Sequence, residues 1–191
     1  MPVTSKVVES FLEFPESSSI ALRMKAEDYF DVIRSLLDVF ARQKNLDSIY
    51  VTSTIPSQSI IKALEVFEIA LENIYFVDCI STIMMGAAEK HPQAIYVESP
   101  TMLENVMLKV EYLHRKTPER NDLVILDSIN SLAIHNNPRI LSEFLHILVN
   151  TLRARNAYTV IFSMAEYETE EITNILRLVC DSQVDVAGEI P

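Results

Sequence analysis

Short apolar runs alternate along this chain with longer stretches whose apolar positions recur at helical spacing. The runs are Ile20–Leu22, Ile49–Thr52, Ile74–Val77, Ala94–Val97, Leu123–Leu126, Tyr158–Phe162 and a short Val184–Val186. Each reads as a strand, and the stretches between them read as helices. From Glu27 to Phe40, the residues Tyr29, Ile33, Leu36, Leu37 and Phe40 share one face. After Pro56, Ile60, Ile61, Leu64 and Phe67 do the same. Ser99 followed by Pro100 reads as a cap with proline at the first helical position, ahead of the stripe Leu103, Val106, Met107, Val110 and Leu113. Asn137–Pro138 repeats that signal before Phe144, Leu145, Leu148 and Leu152, and Glu170–Leu178 reads as a further helix. Ile80–His91 carries a weaker pattern, and Lys116–Asn121 reads as a polar loop.

The run Leu123–Leu126 has no polar residue, as expected of a central strand covered on both faces. About seven strands in alternation with five or six helices predict a doubly wound α/β fold, with a mostly parallel sheet and helices on both faces. A length of 191 residues suits one domain, here read as 1–191 with residues 1–18 as an N-terminal extension.

Composition narrows the chemistry. Two glycines, Gly86 and Gly188, stand where average usage would give about 13. Loops that cradle phosphate with their backbone need several glycines close together, so the P-loop and GxGxxG classes are excluded. A net charge of -11 makes nucleic acid or an anionic membrane surface a poor partner. No apolar stretch reaches the ~18 residues of a membrane span, and residues 1–14 carry no apolar run of signal length. Cys79 and Cys180 show no C-x-x-C spacing and read as free thiols. A cytoplasmic protein is the expectation.

In a sheet of this kind, sites gather where strands end. The residues there are Ser53 and Thr54, Asp78, Glu98 and Ser99, Asp127 and Ser128, and Ser163. An apolar strand ending in Asp127–Ser128 matches a magnesium-holding Walker B strand, and equally a strand whose last residues start a loop or cap a helix. Asp78 reads first as a loop residue. His91, His114, His135 and His146 do not cluster, and neither H-E-x-x-H nor G-x-S-x-G occurs, so a zinc hydrolase and a serine nucleophile lack support. Glu166, Glu168, Glu170 and Glu171 read as a solvated turn before a helix.

The segment LVILDSINSL, Leu123–Leu132, resembles the Walker B strand of the RecA superfamily, particularly KaiC-like ATPases of archaea. SIYVTSTIPSQSIIKAL from Ser48, ENIYFVDCIS from Glu72, EFLHILVNTLRARNAYTVIFSM from Glu143 and CDSQVDV from Cys180 are similar to that family's other strands and helices in the same order. The resemblance spans residues 19 to 187. It implies a RecA-like fold with the phosphate loop between Leu22 and Asp31, where this chain has Arg23, Met24, Lys25, Ala26, Glu27, Asp28, Tyr29 and Phe30. No glycine and no Lys-Ser or Lys-Thr pair is present there, and Glu27 and Asp28 occupy the helix start that would face phosphates. The family's paired glutamates align with Thr54 and Ile55, neither of which can act as a base. The residual nucleotide-site positions are Lys25, Asp127 and Ser128.

The resemblance therefore implies a protein related to the family's members without a Walker A loop. It implies a pseudo-ATPase that is not an enzyme, with no bound ATP, magnesium or other cofactor expected. Such a chain would act through protein contacts as a regulatory or scaffolding subunit, in a homo-oligomer or beside an active paralogue. Non-hydrolytic binding of a nucleotide or small acidic ligand by Lys25, Asp127 and Arg153 or Arg155 is the alternative, and unrelated chemistry at Ser53, Asp78 and Asp127 a third. The resemblance further implies a strand order with Leu123–Leu126 central and Ile20–Leu22 directly beside it.

Overall fold

The computed structural model describes residues 3–85, 91–116 and 120–188. Gly86, part of Ile80–His91 and part of the 116–121 loop lie outside the described residues. Among the described residues, seven strands form one parallel sheet: β1 (Ser19–Met24), β2 (Asp47–Thr52), β3 (Ile74–Asp78), β4 (Ala94–Tyr96), β5 (Asp122–Asp127), β6 (Tyr158–Met164) and β7 (Ser182–Asp185). Their order is β4-β3-β2-β5-β6-β1-β7. The apolar run of β5 is central, and all six of its residues are buried.

The strand beside β5 differs from the expected one. β6 stands between β5 and β1, pairing Leu123–Leu126 with Tyr158–Ile161 on one side and Ser19–Met24 on the other. Consecutive strands tend to be spatial neighbours, and β6 directly follows β5 in the chain. All seven residues of β6 are buried, which requires an interior place in the sheet.

Helices cover both faces. One face carries α1 (Val3–Leu12), then α2 (Tyr29–Arg34), which runs through a π-helical stretch, Ser35–Phe40, into α3 (Ala41–Lys44), and α4 (Ser57–Val66). The other carries α6 (Leu103–Lys116), α7 (Ile129–His135), α8 (Pro138–Arg153) and α9 (Glu170–Val179). Between β3 and β4 lies the short α5 (Ser81–Met85). The connections from β1 to β2 and from β2 to β3 run toward β4 and use the first face, and those that carry α6 to α9 run toward β7 and use the second, as a single crossover hand requires.

Residue alternation in the strands divides the core. Leu123 and Ile125 join the cluster under α2–α4, whereas Val124 and Leu126 join the one under α6–α9. α1 has no counterpart in the strand-and-helix reading of the sequence. It docks Phe11 edge-on against Phe40, 5.4 Å between centroids, and Phe40 meets Tyr158 at 5.3 Å.

Two helix starts test the cap signals. Asn137 caps α8, accepting from the backbone N–H of Arg139 at 3.0 Å with Pro138 at the first helical position. Ser99 does not cap α6, which begins at Leu103. Its hydroxyl accepts from the Thr101 N–H at 3.2 Å and its carbonyl from the Met102 N–H at 3.0 Å, closing a tight turn instead. Serine offers both options, and the turn satisfies it locally.

Ile125 is fully buried at the centre of this sheet. Ile125→Ala should cost about 2–5 kcal/mol by leaving a cavity there, whereas Ile147→Ala, on the exposed side of α8, should change stability by less than about 0.5 kcal/mol. Urea unfolding of both variants measures this, and equal losses would contradict the placement of β5.

Candidate functional site

β2 and β5 are neighbours, yet the chain leaves β2 toward α4 on one face and leaves β5 toward α7 on the other. This is a switch point, where open α/β sheets form crevices. Asp127 ends β5 there, opposite Thr52. Alternation points its side chain to the α2 face, where it is fully buried.

Three hydroxyls hold the carboxylate. Its Oδ2 accepts from Tyr29, in the first turn of α2, and from Tyr50 of β2 at 2.7 Å. Its Oδ1 accepts from Thr54 at 3.0 Å. No lysine, arginine or histidine pairs with it among the described residues. Burial pushes its pKa above the ordinary carboxylate value, and the three hydroxyls offset this only in part. Burial and the adjacent carboxylate likewise push both tyrosines up. Aromatic rings surround the pair, with Phe162 6.5 Å from Tyr29 and 6.2 Å from Tyr50, and Phe76 5.9 Å from Tyr50.

The next residue turns the other way. The peptide bond between Asp127 and Ser128 is cis. Ser128 caps α7 in a capping box with Ser131, which fulfils the helix-cap reading of the Asp-Ser pair. Ser53 ties β2 to this start: its N–H donates to the Asp127 carbonyl at 2.7 Å, and its hydroxyl meets that of Ser131 at 2.5 Å. Asn130 binds the end of β6, accepting from the Met164 N–H at 2.7 Å and donating to the Tyr167 carbonyl at 3.0 Å.

The fold also brings together residues that the sequence had left apart, and separates others. Lys25 follows β1 and lies near Asp28; its charge does not reach Asp127 as a bonded partner. Asp78 is not in a loop but ends β3, fully buried, where its carboxylate has a structural part, accepting from the backbone N–H groups of Ser57, Ile80 and Ser81 and from the Ser81 hydroxyl. Arg153 and Arg155 lie away from the strand ends that hold Asp127. Arg153 pairs with Asp181, the residue before β7, at 2.8 Å and reaches Ser19 at the start of β1, and Arg155 approaches Glu111 at 3.8 Å.

The acidic run is not all solvated. Glu168 pairs with Arg23 at 2.6 Å, and Glu166 accepts from the Ala26 N–H at 2.9 Å. Arg23, half-buried on β1, supplies the cation that the sequence reading had not connected to this run. Glu170 and Glu171 occupy the first turn of α9, where its dipole favours them. Ser163 is buried with its hydroxyl unpartnered. His114 bonds Asp122 at the opposite end of β5. Cys79 and Cys180 are free thiols, each pushed up to about 12 chiefly by burial.

These residues do not fit a magnesium nucleotide. Both Asp127 oxygens are engaged by hydroxyls of the fold, and Tyr29 fills the approach from α2. At the helix start, Asp28 has a raised pKa, from burial and then from the neighbouring charges of Glu27, Asp31 and Glu166, against which Lys25 acts alone. A phosphate would meet repulsion there. No cluster of three metal-ligating side chains exists among the described residues.

Tyr29 and Tyr50 escaped the sequence reading, which counted both as apolar positions. The available signal was a phenol at each of two positions converging on the end of an all-apolar strand. Beyond Ser128, a trough of about 670 Å³ opens between α7, α8 and α9, lined among others by Thr54, Ser128, Ser131, Ile134, Tyr167 and Ile172.

The parallel order, with helices on both faces and the crevice beside β5, defines a RecA-like α/β domain. A KaiC-like protein from the hyperthermophilic archaeon Pyrococcus horikoshii superposes with a TM-score of 0.63 at 14% identity, over 90% of this chain and 73% of that one. The flagellar accessory protein FlaH from Methanocaldococcus jannaschii gives 0.61 at 14%, over 90% and 72%. No family model and no curated protein matches the sequence. No described helix is long and apolar enough to cross a membrane.

Tyr29→Phe keeps the ring and removes one donor to a buried charge, so it should cost about 1.5–3 kcal/mol in urea unfolding. The pH dependence has a definite sign. Because its pKa is raised on folding, Asp127 binds its proton more readily in the native state. Its contribution to stability therefore falls as pH climbs from the ordinary value of 3.8 through the raised folded value, then levels off. Asp127→Asn should remove this descent. Stability profiles of the two proteins between about pH 4 and about pH 8 that run parallel would show that the carboxyl is not its source.

Proposed function

We propose that this chain is a non-catalytic RecA-like domain, a pseudo-ATPase that works by contact with another protein as a regulatory or scaffolding subunit. One observation carries the reading: both oxygens of the buried Asp127 carboxylate are hydrogen-bonded, by the hydroxyls of Tyr29, Tyr50 and Thr54. A Walker B aspartate must present an oxygen to magnesium through water, and catalysis of phosphoryl transfer is almost entirely positioning and charge stabilisation. In this chain the oxygen is tied to aromatic side chains, and the positions aligned with the family's glutamates hold Thr54 and Ile55. Thr54 serves Asp127, and the Ile55 carbonyl accepts from Thr52 at 2.5 Å.

The contact role is supported by what the surface carries. Ile134, Tyr167 and Leu178 are large apolar side chains with 79%, 69% and 70% of their surface exposed, all on the α7–α9 side. Exposed apolar surface also occurs on other elements, as at Val66 and Leu108, but on this side it borders the trough beyond Ser128, and apolar surface beside a depression is a feature of interaction sites. Two free thiols fit a reducing compartment, and the archaeal source of both structural neighbours fits an archaeal origin.

The purified chain should show no steady ATP turnover, and magnesium with ATP should leave its melting temperature unchanged. A ligand at about 100 times its dissociation constant would add about 2.7 kcal/mol, a shift that thermal unfolding resolves. Turnover lost in Asp127→Asn, or a magnesium-dependent stabilisation lost in that variant, would overturn this reading in favour of a nucleotide-binding domain.

A further inference from the structure

The trough beyond Ser128 continues past the cavity that contains it. A second depression of about 600 Å³ lies between the start of α8 and α9, and the two share Pro138, Thr169, Glu171 and Ile175. Together they form one channel along α9, whose 10 residues make it about 15 Å long. Ile134 and Tyr167 stand at one end and Leu178 at the other. These three are too exposed, and too far spread along the channel, to serve a small molecule enclosed in either depression. They are placed to be covered by something of the length of a few helical turns.

The charge at the margin selects the occupant. Glu170 and Glu171 project from the first turn of α9, and Glu166 and Glu27 lie at the Ala26 end. Two of the cations nearby are paired, Arg139 with Glu143 at 3.2 Å and Arg23 with Glu168 and Asp185, and the remaining Lys25 and Arg177 are outnumbered by the four glutamates. A second copy of the chain, at a net charge of -11, would bring acid against acid. We propose that this channel is a docking site for an amphipathic helix of a partner protein, which lays apolar residues at i, i+3 or i+4 and i+7 between α7, α8 and α9 and flanks them with Lys or Arg facing the glutamates. The inference rests on the contact role above and names its surface and the chemistry of its partner.

The test uses the full chain and two fluorescent synthetic peptides of about four helical turns. One is a Leu/Lys amphipathic helix and the other its Leu/Glu counterpart. Anisotropy should show binding of the Leu/Lys peptide, weakened by salt, and none of the Leu/Glu peptide. Ile134→Asp and Tyr167→Ala alter exposed side chains, so their melting temperatures should stay close to that of the parent. Each should weaken Leu/Lys binding by about tenfold or more, as should Glu170→Lys combined with Glu171→Lys. Leu108→Asp, on the exposed side of α6, should leave it unchanged.

Absence of binding, or binding that none of the channel variants weakens, would overturn the proposal. So would equal binding of both peptides. A dimer in sedimentation that Ile134→Asp breaks would assign the channel to a second copy and overturn it too. ATP turnover measured on the same preparation separates the two levels of inference. Turnover removes the non-catalytic reading, whereas failed peptide binding without turnover removes only this site.

Discussion

A carboxylate buried at the end of a central strand, with no cation paired to it among the described residues, has to be met by hydrogen-bond donors or the sheet loses more than it gains by burying it. Asp127 is met from two directions. Tyr29 comes from a helix 98 residues earlier in the chain, and Tyr50 from the neighbouring strand, 77 residues earlier. α2 must therefore start where its first turn overhangs β5, across the intervening β6, and β2 must pair with β5 in a register that brings Tyr50 below the same oxygen. The aromatic packing of Phe76 and Phe162 follows from the need to position those two phenols. Much of the α2 face is organised around this one buried carboxylate.

The apolar runs made the fold legible. Leu123–Leu126 marked the central strand because a strand buried on both faces has no polar position to offer. The adjacency of β1 to β5 was misjudged because apolar runs identify strands without identifying neighbours. Tyr158–Phe162 looked like any other run, and its place between them is set by chain order and by burial on both sides. Ser99 was misjudged for a different reason. Ser-Pro marks a helix start or a tight turn with the same two residues, and only the backbone that follows decides which forms.

The candidate site was half visible. Asp127 and Ser128 were legible from their position at the end of an apolar strand, and Ser128 does cap a helix. Tyr29 and Tyr50 were not, since a tyrosine on an apolar face counts as hydrophobic until its hydroxyl is seen to have a partner. The pairing of Arg23 with Glu168 was hidden because it joins residues 145 positions apart, and no local pattern carries such a contact. The α7–α9 channel was hidden too, because Ile134 and Leu178 fall off the buried stripes of their helices. Single apolar residues of that kind are common on ordinary surfaces.

The two halves of the strand end belong to one arrangement. Asp127 turns into the α2 face and is sealed there, and its neighbour Ser128 starts α7 on the opposite face. Sealing the first side does not weaken the second, because the capping box of Ser128 and Ser131 and the bond from Ser53 anchor α7 independently of the carboxylate's charge. α7 in turn carries Ile134 to the mouth of the channel, while Asn130 fastens the same helix to the end of β6, from which Tyr167 emerges. A RecA-like sheet whose α2 side is closed by Tyr29 and Tyr50 thus still holds an apolar surface at the ends of its central strands. Hydrogen bonds that fix both ends of such a surface leave less of it to be ordered on binding, which favours a surface that recognises a preformed helix.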